Sequence, residues 1–218
     1  MHLLLLGASG GCGRWVARLA TQRGHQLTVI ARGSSGLEPG IAQTTIVGDV
    51  RDPAVLDQAI GTGVEAVVSC LGIRRRNPRN PWSAIDGDHT LVGPVAAALA
   101  ARVPGSAVRR VVAISSAGVA DSAAQTAPIM RWVFAHSSIR IAFEDLATME
   151  RVFAGSTLDW LAVRPTRLID GPPTGRARTC THFRVGSTIA RADVAQWLLD
   201  AVERDGPVGA RTPMITTT

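Results

Sequence analysis

The chain has 218 residues, of which 46% are hydrophobic, enough for one domain with a sizeable core. No apolar run approaches the roughly 18 residues of a membrane-spanning helix, and three scattered cysteines exclude a disulfide framework and a cysteine metal site. The net charge is +6, all 23 basic residues are arginine, and lysine and tyrosine are absent. We therefore expect a cytoplasmic protein with free thiols, no membrane segment and no bound metal.

The first stretch, "LLLLGASGGCGRWVARLA", could be a lipoprotein signal ending at Cys12 or the start of a nucleotide-binding fold. A secretory signal needs a basic segment and a longer apolar run, but only His2 precedes the four leucines. Ser9 also stands where a lipoprotein signal has an apolar residue. The pattern instead predicts a buried strand, a glycine loop and a helix from about Gly13 to Arg23, closed by Gly24.

Short β-branched runs and helix-length segments then alternate along the chain. Strands are predicted at 26–32, 42–50, 64–72, 109–116 and 158–165, and helices after Asp52-Pro53 and at about 83–102, 138–154 and 191–204. A loop rich in Gly, Ser and Pro follows the second strand. Near-continuous hydrophobic strands between helices predict an α/β protein with a single Rossmann-type, doubly wound parallel sheet and helices on both faces. Residues 1–218 are expected to form one NAD(P)-binding domain, with a small C-terminal portion, about 165–218, on the substrate side.

The glycines at 7, 10 and 13 lie directly between the first strand and the first helix. This spacing provides a tight turn, close backbone approach to a pyrophosphate and close helix–strand packing. The helix N-terminus adds free N–H groups and a favourable dipole. We therefore predict a dinucleotide-binding loop made of Gly7, Ser9, Gly10, Gly11, Cys12 and Gly13.

The end of the second strand indicates which dinucleotide is bound. NAD-preferring folds place an acidic residue there, but this chain has Arg32, which can pair with a 2′-phosphate. Arg14, just after the last glycine, is a second candidate for that contact. Asp49 and Val50, after the third strand, are predicted to lie beside the adenine. The cofactor is therefore expected to be NADP(H) rather than NAD(H).

Ligands of doubly wound sheets bind beyond the carboxyl ends of the strands. Cys70, Leu71 and Gly72 follow the fourth strand, and Ser115 and Ser116 end the fifth, so these two groups should flank the nicotinamide ribose and the substrate. The segment "RRRNPRNPW" (74–82) should overhang the same site. Its arginines, Arg74 among them, could attract an anionic acceptor with Trp82 as a stacking face, or contact nucleic acid, or form a mobile solvated lid.

The motifs "GASGGCG", "VGDV", "VVSCLG", "VVAISSAG", "LDWLAVRP", "IDGPPTG" and "IARADVAQWLL" occur in this order from Gly7 to about Leu199. The pattern resembles the atypical short-chain dehydrogenase/reductases, in the NAD(P)H-binding group that contains NmrA-like proteins and biliverdin-IXβ (flavin) reductases. This resemblance implies that the loop glycines and Arg32 hold NADP(H), with Asp49 and Val50 at the adenine. It also implies that Arg164, Pro165 and Thr166 line the nicotinamide pocket through backbone groups, and it gives Glu150 a position on the substrate side.

One departure from ordinary short-chain enzymes concerns the proton donor. Those enzymes reduce carbonyls with a Tyr-x-x-x-Lys pair, which this chain cannot form because it has neither residue. Hydride transfer to a flavin-like or other conjugated small molecule remains possible, because the product can take its proton from water. Ser115 and Ser116 are then the candidate catalytic residues, as donors to the nicotinamide amide or the substrate, and His136 or His182 could relay a proton. The alternative is a non-catalytic, NADP(H)-binding redox sensor of the NmrA type; a nucleic-acid partner is disfavoured.

Overall fold

The computed structural model describes residues 1–33, 40–209 and 211–218, so the loop predicted after the second strand lies largely outside the described residues. The strands are β1 (His2–Leu6), β2 (Gln26–Ala31), β3 (Thr44–Val47), β4 (Ala66–Ser69), β5 (Arg74–Arg75), β6 (Ile85–Asp86), β7 (Arg110–Ile114), β8 (Trp160–Pro165), β9 (Arg167–Ile169), β10 (Arg178–Thr179), β11 (Thr188–Ala190) and β12 (Met214–Thr216). The helices are α1 (Gly11–Gln22), α2 (Pro53–Ile60), α3 (Val92–Arg102), α4 (Pro128–Ala135), α5 (Ile139–Ala154) and α6 (Arg191–Glu203), with a 3₁₀ helix at Ala120–Gln125.

Eight strands form the central sheet in the order β3-β2-β1-β4-β7-β8-β12-β10. Every neighbouring pair is parallel except β10 with β12 at one edge. The strand order reverses between β1 and β4, which is where such sheets bind their ligands, beyond the carboxyl ends. The predicted Rossmann-type α/β fold is confirmed.

The four leucines of β1 show how the sheet is covered on both faces. Leu3 and Leu5 pack into a core with α1 and α6, whereas Leu4 and Leu6 pack into a second core with α2, α3 and α5. Successive side chains of a strand point to opposite faces, so an uninterrupted apolar run is what a strand buried on both sides requires.

The predicted helix at 83–102 is wrong in its first half, because α3 begins only at Val92. Gly87 has a φ of 93°, which is outside the helical range, and Ile85–Asp86 instead pairs antiparallel with Arg74–Arg75. The start of α3 is set by a distant residue: the buried carboxylate of Asp145 accepts hydrogen bonds from three consecutive N–H groups, those of residues 91–93.

The second half of the chain contains short elements that the sequence pattern did not predict. These are α4, the 3₁₀ helix, the β9–β11 pair and the edge strands β10 and β12. Within the described residues, no helix is long and apolar enough to span a membrane.

Candidate functional site

The glycine loop is pressed against the end of β4 so closely that side chains are excluded. Gly7 has a φ of 77°, and a Cβ there would lie 2.8 Å from the carbonyl oxygen of Cys70. A Cβ on Gly13 would overlap the carbonyl oxygen of Gly7, which accepts a hydrogen bond of 3.0 Å from the N–H of Gly10. The loop is therefore a tight turn that leaves its backbone open to a ligand.

The N-terminus of α1 fits a phosphate. Its N-cap residue is Gly10, which has no side chain to cap the helix, and the first turn has no acidic residue. Ser9 and Gly10 are exposed, whereas the thiol of Cys12 is buried. Burial raises the pKa of Cys12 to about 11, although the charge of Arg191 opposes this, so no thiolate at neutral pH repels an anion. This turn can therefore hold the pyrophosphate of a dinucleotide.

Arg32 lies directly after β2 and is exposed, with no hydrogen-bond or ion-pair partner among residues 1–33, 40–209 and 211–218. Arg51, which the sequence reasoning missed, holds the carboxylate of Asp49 through Nε at 3.1 Å and Nη2 at 2.7 Å. These hydrogen bonds lower the pKa of Asp49 to about 2, and the charge of Arg32 contributes. A contact between Asp49 and an adenine would have to share the carboxylate with Arg51. Val50 is half-buried against the core.

Cys70, Leu71 and Gly72 lie beyond β4, facing the glycine loop. The N–H of Cys70 donates to the carbonyl of Leu6 at 2.9 Å, which extends the pairing of β1 and β4 into the loop. Burial raises the pKa of the Cys70 thiol well above its usual value, so this residue is also neutral. A Cβ on Gly72 would meet nothing within 4 Å, so the crevice is open at this point.

A buried polar network lies at the carboxyl end of β7. Ser115 Oγ donates to Glu150 Oε1 at 2.6 Å, and Arg164 binds the same carboxylate through Nε at 2.9 Å and Nη2 at 2.6 Å. Arg164 Nη2 also donates to Asp121 at 2.7 Å. Burial alone would lower the pKa of Arg164, but the hydrogen bonds that it donates to Glu150 and Asp121 raise the pKa overall, so the guanidinium stays charged.

This network changes the role expected for the serines. Because the hydroxyl proton of Ser115 is bound by a carboxylate, Ser115 can accept a hydrogen bond from a ligand but has no proton left to donate. The hydroxyl of Ser116 donates to the carbonyl of Ala117 at 3.2 Å. The expected donation from Ser115 to the substrate therefore does not fit this arrangement. Glu150 is buried and ion-paired rather than facing open solvent.

The segment Arg164-Pro165-Thr166 belongs to the sheet. The N–H groups of Arg164 and Thr166 donate to the carbonyls of Pro213 and Ile215, and the carbonyl of Pro165 accepts from Ala117. The hydroxyl of Thr166 donates to Thr216 at 3.2 Å. A contact between this backbone and a nicotinamide would therefore have to use carbonyl oxygens.

The arginine-rich segment 74–86 is a hairpin, formed by β5 and β6 and tied to the start of α5. The indole of Trp82 donates to the carbonyl of His136 at 3.0 Å, and Ser138 Oγ donates to the carbonyl of Pro81 at 2.7 Å. Arg75 is used inside the hairpin, where it donates to two carbonyls, whereas Arg74 and the ring of Trp82 are exposed. The hairpin therefore presents positive charge and a flat aromatic surface while being fixed at its tip.

Two motifs noted in the sequence meet at the glycine loop. The fully buried carboxylate of Asp193 accepts bonds from the N–H and hydroxyl of Thr174 and from the N–H of Gly175. Arg191 donates to Asp170 at 2.7 Å, and its side chain lies against Gly11. Arg191 and Asp170 lie in the motifs "IARADVAQWLL" and "IDGPPTG" but were not predicted as site residues; the opposite charges in two co-occurring motifs were the signal.

A family model described as NAD(P)H-binding matches residues 7–205 of the chain. The chain belongs to the NAD(P)H-binding family. This membership agrees with a glycine loop that excludes side chains and with an uncapped helix N-terminus above it. It also confirms the resemblance drawn from the sequence motifs at the level of the family.

Individual relatives of this NAD(P)H-binding chain are more distant. The chain is 30% identical over 95 residues to divinyl chlorophyllide a 8-vinyl-reductase of Arabidopsis thaliana, a match that covers 38% of the chain and only 23% of that relative's length. Its fold is similar to that of ChuY, an anaerobilin reductase from Escherichia coli O157:H7, with a TM-score of 0.77 at 20% identity over 99% and 96% of the two chains. Its fold is also similar to that of a short-chain dehydrogenase/reductase from Veillonella parvula in complex with NADP. For this pair the TM-score is 0.76 at 18% identity, over 98% of this chain and 93% of the other.

Proposed function

We propose that the protein is an NADP(H)-dependent reductase that passes a hydride to a conjugated acceptor, such as a flavin or a linear tetrapyrrole. The observation that carries this proposal is the buried Ser115–Glu150–Arg164 network, in which the only proton on Ser115 is bound by a carboxylate. The bound dinucleotide supplies the hydride. A conjugated acceptor suits such a site because its reduced form can be protonated by water.

Different residues around the crevice would bind different parts of the cofactor. The N–H groups of the glycine loop and the start of α1 bind the diphosphate. Arg32, which is exposed and makes no hydrogen bond or ion pair in the described ranges, would bind the 2′-phosphate through its guanidinium. The NADP held by the Veillonella parvula structure supports this choice.

The acceptor is the part of the proposal that the relatives support most directly. ChuY and the Arabidopsis relative are both named for the reduction of tetrapyrroles, which are conjugated molecules. The hairpin 74–86 offers exposed arginine charge and the ring of Trp82 to such a molecule. Stacking and proximity would then contribute most of the catalysis.

The test is NADPH oxidation by the purified protein with three acceptors, namely FMN, a quinone and biliverdin. We expect turnover with FMN or biliverdin. A general acid contributes about 10²–10⁴-fold to a rate, so Ser115→Ala should reduce kcat by far less than this if the proton comes from water. Tight NADPH binding without turnover on any acceptor would refute the reductase and favour the redox sensor.

Cofactor preference is tested separately by binding. Arg32→Asp should weaken NADPH binding by about tenfold to a hundredfold, since it replaces a charge-assisted bond with repulsion, and should leave NADH binding nearly unchanged. Arg14→Asp, on the neighbouring helix, tests the second candidate for the same contact. Equal losses for NADPH and NADH in Arg32→Asp would show that Arg32 does not contact the 2′-phosphate.

A further inference from the structure

Arg191 lies across the first turn of the phosphate-binding helix. It is the first residue of α6, and α1 and α6 pack side by side on one face of the sheet. A Cβ placed on Gly11 would lie 2.7 Å from both Cδ and Nε of Arg191. A methyl group on Gly11 would therefore force the flexible end of the arginine side chain to move away from the loop.

The guanidinium of Arg191 keeps most of its donors free. Of its five N–H bonds, one is used by Asp170 at 2.7 Å, and no other acceptor is found in the part of the chain that the structure describes. The side chain of Asp170 is 93% exposed and that of Arg191 is 26% exposed. An ion pair with so exposed a partner is weak, so a second anion can share or replace the carboxylate.

We propose that Arg191 binds the diphosphate of the dinucleotide, with Asp170 holding the guanidinium over Gly11 until the ligand arrives. The backbone N–H groups of α1 and the guanidinium of Arg191 would then both bind the diphosphate. The arginine adds full positive charge where the helix contributes only a partial one. The proposal rests on the dinucleotide binding that the proposed function requires, but not on hydride transfer.

Calorimetric titration with three ligands separates Arg191 from Arg32. ADP-ribose carries the diphosphate without a 2′-phosphate, 2′-AMP carries the 2′-phosphate without a diphosphate, and NADPH carries both. Arg191→Gln should weaken ADP-ribose and NADPH by about tenfold to a hundredfold and leave 2′-AMP unchanged. Arg32→Gln should weaken NADPH and 2′-AMP and leave ADP-ribose unchanged. An unchanged affinity of Arg191→Gln for ADP-ribose, or an equal loss for 2′-AMP, overturns the proposal.

A second pair of variants tests the contact with Gly11. Gly11→Ala should displace the guanidinium and weaken ADP-ribose binding, but the same substitution in an Arg191→Ala background should add little further loss. If Gly11→Ala weakens ADP-ribose binding by the same factor with and without Arg191, the contact between Gly11 and Arg191 is refuted. The melting temperature of Arg191→Gln should match that of the wild type, because the ion pair is exposed. ADP-ribose binding without NADPH turnover would refute the reductase while leaving the role of Arg191 supported.

Discussion

Replacing Glu150 by Gln removes the charge that balances Arg164 while keeping the shape of the side chain. The two side chains are only 7% and 4% exposed, so the remaining guanidinium would be charged and poorly solvated. Removing one partner of a buried pair costs about 3–5 kcal/mol. Asp121 still accepts from Arg164, and the amide oxygen can accept one bond, so we expect the lower end, about 3 kcal/mol.

For a chain of this length, each kcal/mol lowers the melting temperature by about 2–4 °C, so Glu150→Gln should melt about 6–12 °C below the wild type. Glu144→Gln is the matched control, because Glu144 lies on the same helix in an exposed pair with Arg140 and should change stability by less than about 0.5 kcal/mol. Urea unfolding gives both free energies. Equal losses in the two variants would refute the buried ion pair, as would a failure of Glu150→Leu/Arg164→Met to recover stability.

Three further predictions concern the glycine loop, the adenine end and the 170–175 loop. Gly13→Ala should abolish NADPH binding and lower the free energy of unfolding by about 1–3 kcal/mol. Gly72→Ala, whose Cβ meets nothing within 4 Å, should have neither effect. Calorimetry measures the binding and urea unfolding measures the stability. The pKa of Asp49 is about 2 when folded and near 3.9 when unfolded, so its ionised form stabilises the fold above pH 4. The stability difference between wild type and Asp49→Asn should therefore be constant at neutral pH, shrink as the pH falls below about 4 and be mostly lost near pH 2; a difference at pH 2 as large as that at neutral pH contradicts the ion pair. Asp193→Ala should lower the free energy of unfolding by about 2–3 kcal/mol and speed proteolysis near Thr174; unchanged digestion would show that the loop does not depend on this carboxylate.

Local patterns predicted the sheet and the glycine loop well. The uninterrupted leucines of β1, the glycine spacing and the Asp52-Pro53 helix start depend on residues close together in the chain. Asp52 caps α2 through the N–H of Ala54 at 2.9 Å, as its position beside Pro53 indicates. Such features are visible to periodicity and capping rules because the physics that creates them is local.

The chemistry of the site was less predictable because its contacts are distant in the sequence. The carboxylate that binds the hydroxyl of Ser115 comes from a residue 35 positions later, and the guanidinium that balances it comes 14 positions after that. The start of α3 depends on Asp145, more than 50 residues away. Composition showed that Tyr and Lys are missing, but only the packed structure shows that Glu150 accepts a hydrogen bond from the hydroxyl of Ser115.

The tie between the arginine hairpin and α5 has a mechanical consequence. Ser138, at the N-cap position of α5, donates its hydroxyl hydrogen bond to the hairpin, and Glu150 lies about three turns further along the same helix. A helix of 16 residues is a stiff rod, about 24 Å long. A bulky molecule that pushes the hairpin outward therefore pushes on the rod that carries the buried carboxylate. The hairpin and the carboxylate that binds Ser115 are thus connected through a single rigid helix.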